Sequence, residues 1–421
     1  MAWLNRPIYS CLLRLALPIL LLRLFWRGRK ERAYTQRIGQ RLGFYGDLKP
    51  TPGAVWLHAV SLGEMRTAAL LLKPWRAQNP DTPLLLTCST ATGWAEGEKL
   101  QDAHTQLVWL PWDIPGAAQR FYRHFQPRLG LLMETEVWPN MLAQAQKQHI
   151  PMVLINGRLS EKSLRKAQRL PKLALPAYSA LTGVLAQSFA DAQRFTQLGS
   201  RILGITGNIK FDQQPSATQI QQAQALKSRW QSCRIITLAS SREGEEALFL
   251  QALAQQPLPA NCVPAIVPRH PQRFDEIAQL ASAAGWRVLR RRDWAQTPAL
   301  QAKTLLLGDS MGEMAFYYAL SDSALMGGSF LPFGGQNLIE ALACYCPVIL
   351  GPHTYNFAEP SAAALAAGLA QSAENMSQAV QWAQQNSVQD GHEQAAFRQY
   401  LQQHQGGIEK TWHALQTFVY K

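Results

Sequence analysis

The chain has 421 residues, of which 47% are apolar and 16% charged; it is too long for a single hydrophobic core and too apolar for disorder, so two folded domains are expected. Lysine and arginine outnumber aspartate and glutamate by 41 to 28, and the resulting charge of +13 favours an anionic partner: a membrane surface, a phosphorylated substrate or nucleic acid. The six cysteines, at 11, 88, 233, 262, 344 and 346, form no C-x-x-C pair, which speaks against a disulfide framework or a zinc site and fits a reducing compartment.

Residues 8–26 are almost all apolar, interrupted by Arg14, Pro18 and Arg23, and a basic cluster of Arg27, Arg29, Lys30 and Arg32 follows. A run of that length just spans a bilayer, although a charge near its middle costs roughly 2.5–3.5 kcal/mol on insertion. No small-residue cleavage site follows, so a removed signal peptide is not expected. The positive-inside rule leaves the body of the chain in the cytoplasm. A helix lying in the interface, with both arginines reaching the head groups, satisfies the same pattern.

After a basic connector at 37–45, short apolar runs at 55–60, 83–87, 107–110, 129–133, 152–155, 181–185 and 202–206 alternate with helical stretches. The first helix follows the turn Ser61-Leu-Gly-Glu64 and is expected to stop at Pro74. The alternation predicts a parallel sheet covered by helices on both faces. Near residue 210 the pattern resets. A linker at 212–218 and a helix at 219–230 lead to a second set of runs at 235–238, 264–267, 286–289, 304–307, 323–326 and 348–350, and the tail from Ser361 reads as helical. Ligands of such sheets sit at the carboxyl ends of strands, and the cleft between two such domains is the expected site.

Several strand ends carry residues suited to chemistry. Glu64 follows a strand and a glycine at a helix start; it suits a general base, and equally a helix cap. Glu134 and Glu136 follow the run at 129–133, and in an extended segment they point the same way. Lys210 in Gly207-Asn-Ile-Lys-Phe-Asp212 stands at the domain junction, where it suits a leaving phosphate or simply a solvated linker. Arg269 and His270 lie between two prolines, and Arg269 suits a phosphate or carboxylate. Gly308-Asp-Ser-Met-Gly-Glu313 and Phe333-Gly-Gly-Gln-Asn-Leu-Ile-Glu340 read as glycine turns opening helices, which suits phosphate; Asn337 and Glu340 are expected on one helix face to hold a ribose. Cys344 and Cys346 are expected in the core of a strand or its approach. There is no P-loop, no G-x-G-x-x-G after the first strand, no G-x-S-x-G elbow, no metal-ligand spacing, and no aromatic-basic stripe for nucleic acid.

Together with His58-Ala-Val-Ser-Leu-Gly-Glu64 and Met133-Glu-Thr-Glu-Val-Trp-Pro139, these motifs resemble the 3-deoxy-D-manno-octulosonic acid (Kdo) transferase family of Gram-negative bacteria, glycosyltransferase family 30, over most of the chain. The resemblance implies an α/β fold of the GT-B type: two Rossmann-like domains facing an interdomain cleft, plus an N-terminal membrane-anchoring helix. Residues 1–32 would be the anchor and its basic flank, 33–212 the acceptor domain and 213–421 the CMP-sugar domain. The implied reaction moves Kdo from CMP-Kdo to the lipid A precursor lipid IVA, with inversion and release of CMP, in lipopolysaccharide biosynthesis. By the family pattern Glu64 is the proton acceptor, and Glu134 and Lys210 stabilise the transition state. Contacts to CMP fall on Pro268, Arg269, His270, Met311, Gly312, Glu313, Asn337, Leu338, Ile339 and Glu340. No metal or other cofactor is expected, and no nucleic-acid partner. The implied location is the cell inner membrane, with both domains on the cytoplasmic side. Leu62, Gly157, Gln336 and Leu338 depart from residues common in the family; none of them is a proposed catalytic group, and Gln336 leaves no histidine for any role the family gives one at that position. Two other readings stay open: a GT-B enzyme working on a UDP-sugar, and an inactive nucleotide-binding membrane adaptor.

Overall fold

The computed structural model describes residues 4–230, 233–385 and 391–419. The chain divides into two compact units, Met1–Asp212 with Gln405–Lys421, and Gln213–His404.

The first unit is built on seven parallel strands: β1 Val55–His58, β2 Leu84–Cys88, β3 Thr105–Trp109, β4 Leu129–Met133, β5 Met152–Gly157, β6 Gly183–Ala186 and β7 Ile202–Ile205. Their order across the sheet is β3-β2-β1-β4-β5-β6-β7. Helices cover both faces, so β1, β2, β4, β5 and β6 are buried along their whole length, which is why they read as unbroken apolar runs. Many of the helices that follow start on a hydroxyl: Ser61, Thr90, Ser160 and Ser188 each accept a backbone N–H of the first turn.

The second unit repeats the plan with β8 Arg234–Ser241, β9 Cys262–Pro268, β10 Arg287–Arg290, β11 Thr304–Leu307, β12 Ser323–Met326, β13 Val348–Leu350 and β14 Ala370–Ser372, in the order β10-β11-β9-β8-β12-β13-β14. In each sheet the first strand is central and the order reverses beside it. The switch points therefore lie between β1 and β4 and between β8 and β12, where loops leave in opposite directions and open a crevice at the carboxyl edge.

Five expectations need correction. The apolar N-terminal run is not one helix: it breaks into Arg6–Leu15 and Leu17–Gly28, bent by 53°, with Pro18 in the first turn of the second helix where its missing N–H costs nothing. No single helix among the described residues is long and apolar enough to cross a membrane, while the bent pair passes that test together. Pro74 does not stop its helix, which runs Leu62–Gln78 with Trp75 buried beyond the proline. The tail expected to be helical contains β14, and the last helix, Gly407–Val419, packs on the first unit rather than the second. There Trp412 stacks on Trp75 with ring centres 5.3 Å apart and donates to the Leu71 carbonyl, and the Asp212 carboxylate accepts the N–H groups of Gly406 and Ile408, both at 2.6 Å. Finally, Asn337 lies outside the helix Ile339–Ala343, so it does not share a helical face with Glu340. All six cysteines are free thiols, and Cys346 is buried just before β13.

Candidate active site

The switch point of the first sheet gathers three acids and a lysine. At the end of β1 the chain turns through Ser61 into a helix, and Glu64 occupies that helix's first turn. Its carboxylate accepts the Val60 N–H at 2.9 Å and the Ser61 hydroxyl at 3.2 Å, while Ser61 Oγ accepts the Glu64 N–H at 3.4 Å. This reciprocal arrangement is close to a capping box, so the helix-cap reading of Glu64 and the general-base reading describe one held geometry. Burial pushes the carboxyl up to about 7, with the nearby Glu134 charge adding to it and the Val60 and Ser61 donors opposing it. A carboxylate poised near neutrality suits proton abstraction.

Glu134 and Glu136 do not continue β4 in the extended form. Glu134 turns at once into the left-handed region, at φ 54°, a conformation few non-glycine residues adopt. The two carboxylates consequently take different partners. Glu134 Oε1 meets Lys210 Nζ at 2.9 Å in a largely buried pair. Glu136 accepts the Trp138 indole N–H at 2.8 Å and lies 3.7 Å from His58 Nε2. His58 is fully buried, and its Nδ1 lies 2.8 Å from the Thr87 hydroxyl and 3.1 Å from the Thr87 carbonyl.

Lys210 is positioned by a residue that belongs to none of the motifs. It rides on a short 3-10 turn, Ile209–Asp212, whose Ile209 N–H is accepted by Asn156 Oδ1 at 3.1 Å. Asn156 is fully buried at φ 49° near the end of β5, and its own carbonyl accepts from Gln187. Its sole sequence signal was a polar residue inside an apolar strand.

The switch point of the second sheet is cationic and glycine-rich. Arg269 and His270 follow β9, and Arg242 follows β8. Burial first, then the adjacent Arg242, lowers the His270 pKa below its ordinary value, so its imidazole is neutral at pH 7. Opposite, the turn after β12 carries Gly327 and Gly328. A Cβ on Gly327 would come within 2.4 Å of the Ser240 carbonyl oxygen, so only glycine lets these two strand ends approach. Glu245, fully buried, holds that turn: its carboxylate accepts the N–H groups of Gly328 at 2.6 Å, Phe330 at 3.1 Å and Arg242 at 2.9 Å. Glu245→Ala strands these donors and is expected to lower stability by roughly 2–4 kcal/mol in a denaturant titration; a loss below about 1 kcal/mol would mean that the turn does not depend on it.

Of the residues expected to contact CMP, Met311 is exposed, while Glu313 accepts from Arg291 at 2.8 Å and from the Ser310 hydroxyl. Gly312 sits at φ 80° with open space where a Cβ would stand, and its carbonyl accepts from Gln219. Leu338 and Ile339 are core side chains, which leaves only their backbone for a ligand, and Asn337 Oδ1 accepts the Ile339 N–H at 3.2 Å. Glu340 accepts from Gln213. Among the described residues no group of three His, Cys, Asp or Glu side chains is arranged to hold a metal ion.

Two parallel-sheet α/β units, each with its polar residues at the switch point, define the architecture of GT-B-type glycosyltransferases. A glycosyltransferase from Rickettsia africae shares this fold, with a TM-score of 0.57 at 12% identity, over 87% of this chain and 98% of that one. A family model described as 3-deoxy-D-manno-octulosonic-acid transferase matches residues 36–213. The 3-deoxy-D-manno-octulosonic acid transferase of Bordetella pertussis is 41% identical over 99% of this chain and all of its own length, and that of Haemophilus influenzae 34% identical over 84% of each. The chain belongs to the Kdo transferase family and is a glycosyltransferase.

Proposed function

We propose that the protein transfers Kdo from CMP-Kdo to a phosphorylated lipid A precursor, lipid IVA, with inversion at the anomeric carbon. The observation that carries the reading is Glu64: a held carboxylate with a pKa of about 7 at the first sheet's switch point, beside the Glu134–Lys210 pair. Glu64 takes the proton of the acceptor hydroxyl as that oxygen attacks the anomeric carbon of Kdo. The bond from that carbon to the CMP phosphate breaks, and CMP leaves with the electron pair. Attack opposite the leaving group inverts the centre. Positive charge grows on the sugar and negative charge on the departing phosphate, and the Glu134–Lys210 pair offers one charge of each sign.

CMP departs as a phosphate monoester, a good leaving group in its own right, so neither strong acid assistance nor a metal is required on this reading. Arg269 and the neutral His270, with the backbone around 311–313 and 337–340, are the groups we assign to CMP. The acceptor's phosphates and acyl chains agree with the charge of +13 and with the exposed apolar face of the helix Leu17–Gly28, where Ile19, Leu22, Phe25 and Trp26 are all exposed. These features support docking at the cytoplasmic side of the inner membrane. Titration with CMP and UDP tests the donor assignment: CMP binding at least tenfold tighter than UDP is expected, and weakened at least tenfold by Arg269→Ala. Tight UDP binding without CMP binding would move the chain to a UDP-sugar enzyme.

A further inference from the structure

We infer that the cavity under the helix Leu17–Gly28 is a phosphate subsite, built from Arg23, Arg27 and Arg41, for a phosphate monoester on the acceptor's sugar head group. The inference rests on the acceptor reading above and adds the residues that recognise it.

The cavity has a volume of about 470 Å³, within the range of pockets that hold a small ligand. Arg41 is almost fully buried, donates to the Ser89 carbonyl at 3.2 Å and stacks on the Trp109 ring at 4.0 Å. Its Nε is buried with no hydrogen-bond partner. Arg27 lies 4.1 Å from the centre of the Tyr34 ring and donates to its hydroxyl. No carboxylate among the described residues pairs with Arg23, Arg27 or Arg41. Two acids do share the cavity wall, but each has its own donors: Asp113 accepts the N–H groups of Asn140 and Met141 at 3.1 and 2.7 Å, and Glu136 accepts the Trp138 indole. Burial pulls the Arg41 pKa down to about 10, which leaves it a cation at neutral pH.

A buried guanidinium without a counter-ion is costly, and the like charge of Arg27 raises that cost, while Arg23 lines the same cavity from a more exposed position; an anion relieves it, and guanidinium forks match phosphate oxygens. The rest of the wall selects the kind of anion. Leu20 and Leu24 line it from the helix whose outer face is apolar and exposed, which suits a head group still attached to acyl chains. Val60 also lines it, and the Val60 N–H holds the Glu64 carboxylate, so a phosphate bound here brings its sugar beside the proposed base.

The test is direct binding to the full chain in detergent, which reads recognition separately from whether Kdo is transferred. The probe is a deacylated glucosamine disaccharide bearing phosphate at both ends, with its dephosphorylated form as comparison. Wild type is expected to bind the phosphorylated form at least tenfold more tightly. Arg23→Gln combined with Arg27→Gln, two changes outside the core, is expected to abolish that preference while leaving CMP affinity unchanged. Inorganic phosphate should displace the disaccharide only at tenfold or higher concentration. Equal binding of the two disaccharides, retention of the preference in the double variant, or displacement by inorganic phosphate at equal concentration would each overturn the assignment.

Discussion

Glu64→Gln is expected to lower the transfer rate by about a thousandfold while CMP still binds, within the range of about 10²–10⁴ that general-base catalysis supplies. Glutamine keeps the size of the side chain; its amide oxygen can still accept the Val60 N–H and its amide nitrogen can donate to the Ser61 hydroxyl, so the loss reports on the proton and not on the fold. The pH profile follows from the same group. Its carboxyl titrates at about 7 because it is buried near Glu134, and the base acts only when ionised, so wild-type transfer should rise with pH through about 7 and then level off. The linkage to stability has a definite sign. A carboxyl whose pKa is raised on folding binds its proton more tightly in the folded chain. Its stabilising contribution is full below the unfolded value of 4.5 and is lost as pH rises through about 7. Glu64→Gln should therefore melt higher than wild type at pH 8, with the difference closing as pH falls below 5. A variant that keeps more than a tenth of wild-type transfer would remove Glu64 from the role of base.

The second large effect is expected at the Glu134–Lys210 pair. Glu134→Gln and Lys210→Met should each reduce transfer by about 10²–10³, the range for removing one preorganised electrostatic group. The two side chains meet at 2.9 Å, so they act as a unit, and the double variant should lose much less than the product of the single losses. Both side chains are largely buried, and removing one partner leaves the other charge without its ion pair; melting temperatures measured in parallel separate lost catalysis from lost folding. Independent, multiplying losses would mean that the two groups serve different steps. Single losses below about threefold would make the pair structural.

Thirteen strands match runs read directly from the sequence: the central ones because parallel strands covered on both faces must be apolar throughout, and the edge strands β7 and β10 because a shorter apolar stretch remains in each. β14 was not legible, because Ala370-Gln-Ser372 at the sheet edge carries no apolar run. The last helix was legible as a helix but not as a neighbour: amphipathic spacing shows that Trp412, Leu415 and Val419 need a surface, not which sheet supplies it. Similarly, the motifs marked Glu64, Glu134 and Lys210 as polar residues at strand ends, yet the turn at Glu134 that separates it from Glu136 has no signature. Asn156 and Glu245 went without a role for a further reason. Each is a buried polar side chain whose function is to hold backbone far along the chain, Asn156 reaching Ile209 and Glu245 reaching Gly328, and such partners exist only once the sheet has formed.

The central claim is tested most directly by incubating the purified chain with CMP-Kdo and a tetraacylated, bisphosphorylated lipid A precursor and reading the acceptor's mass. A gain of one or more Kdo units, absent with Glu64→Gln, is the predicted result. A folded protein that binds CMP and leaves the acceptor's mass unchanged would contradict it.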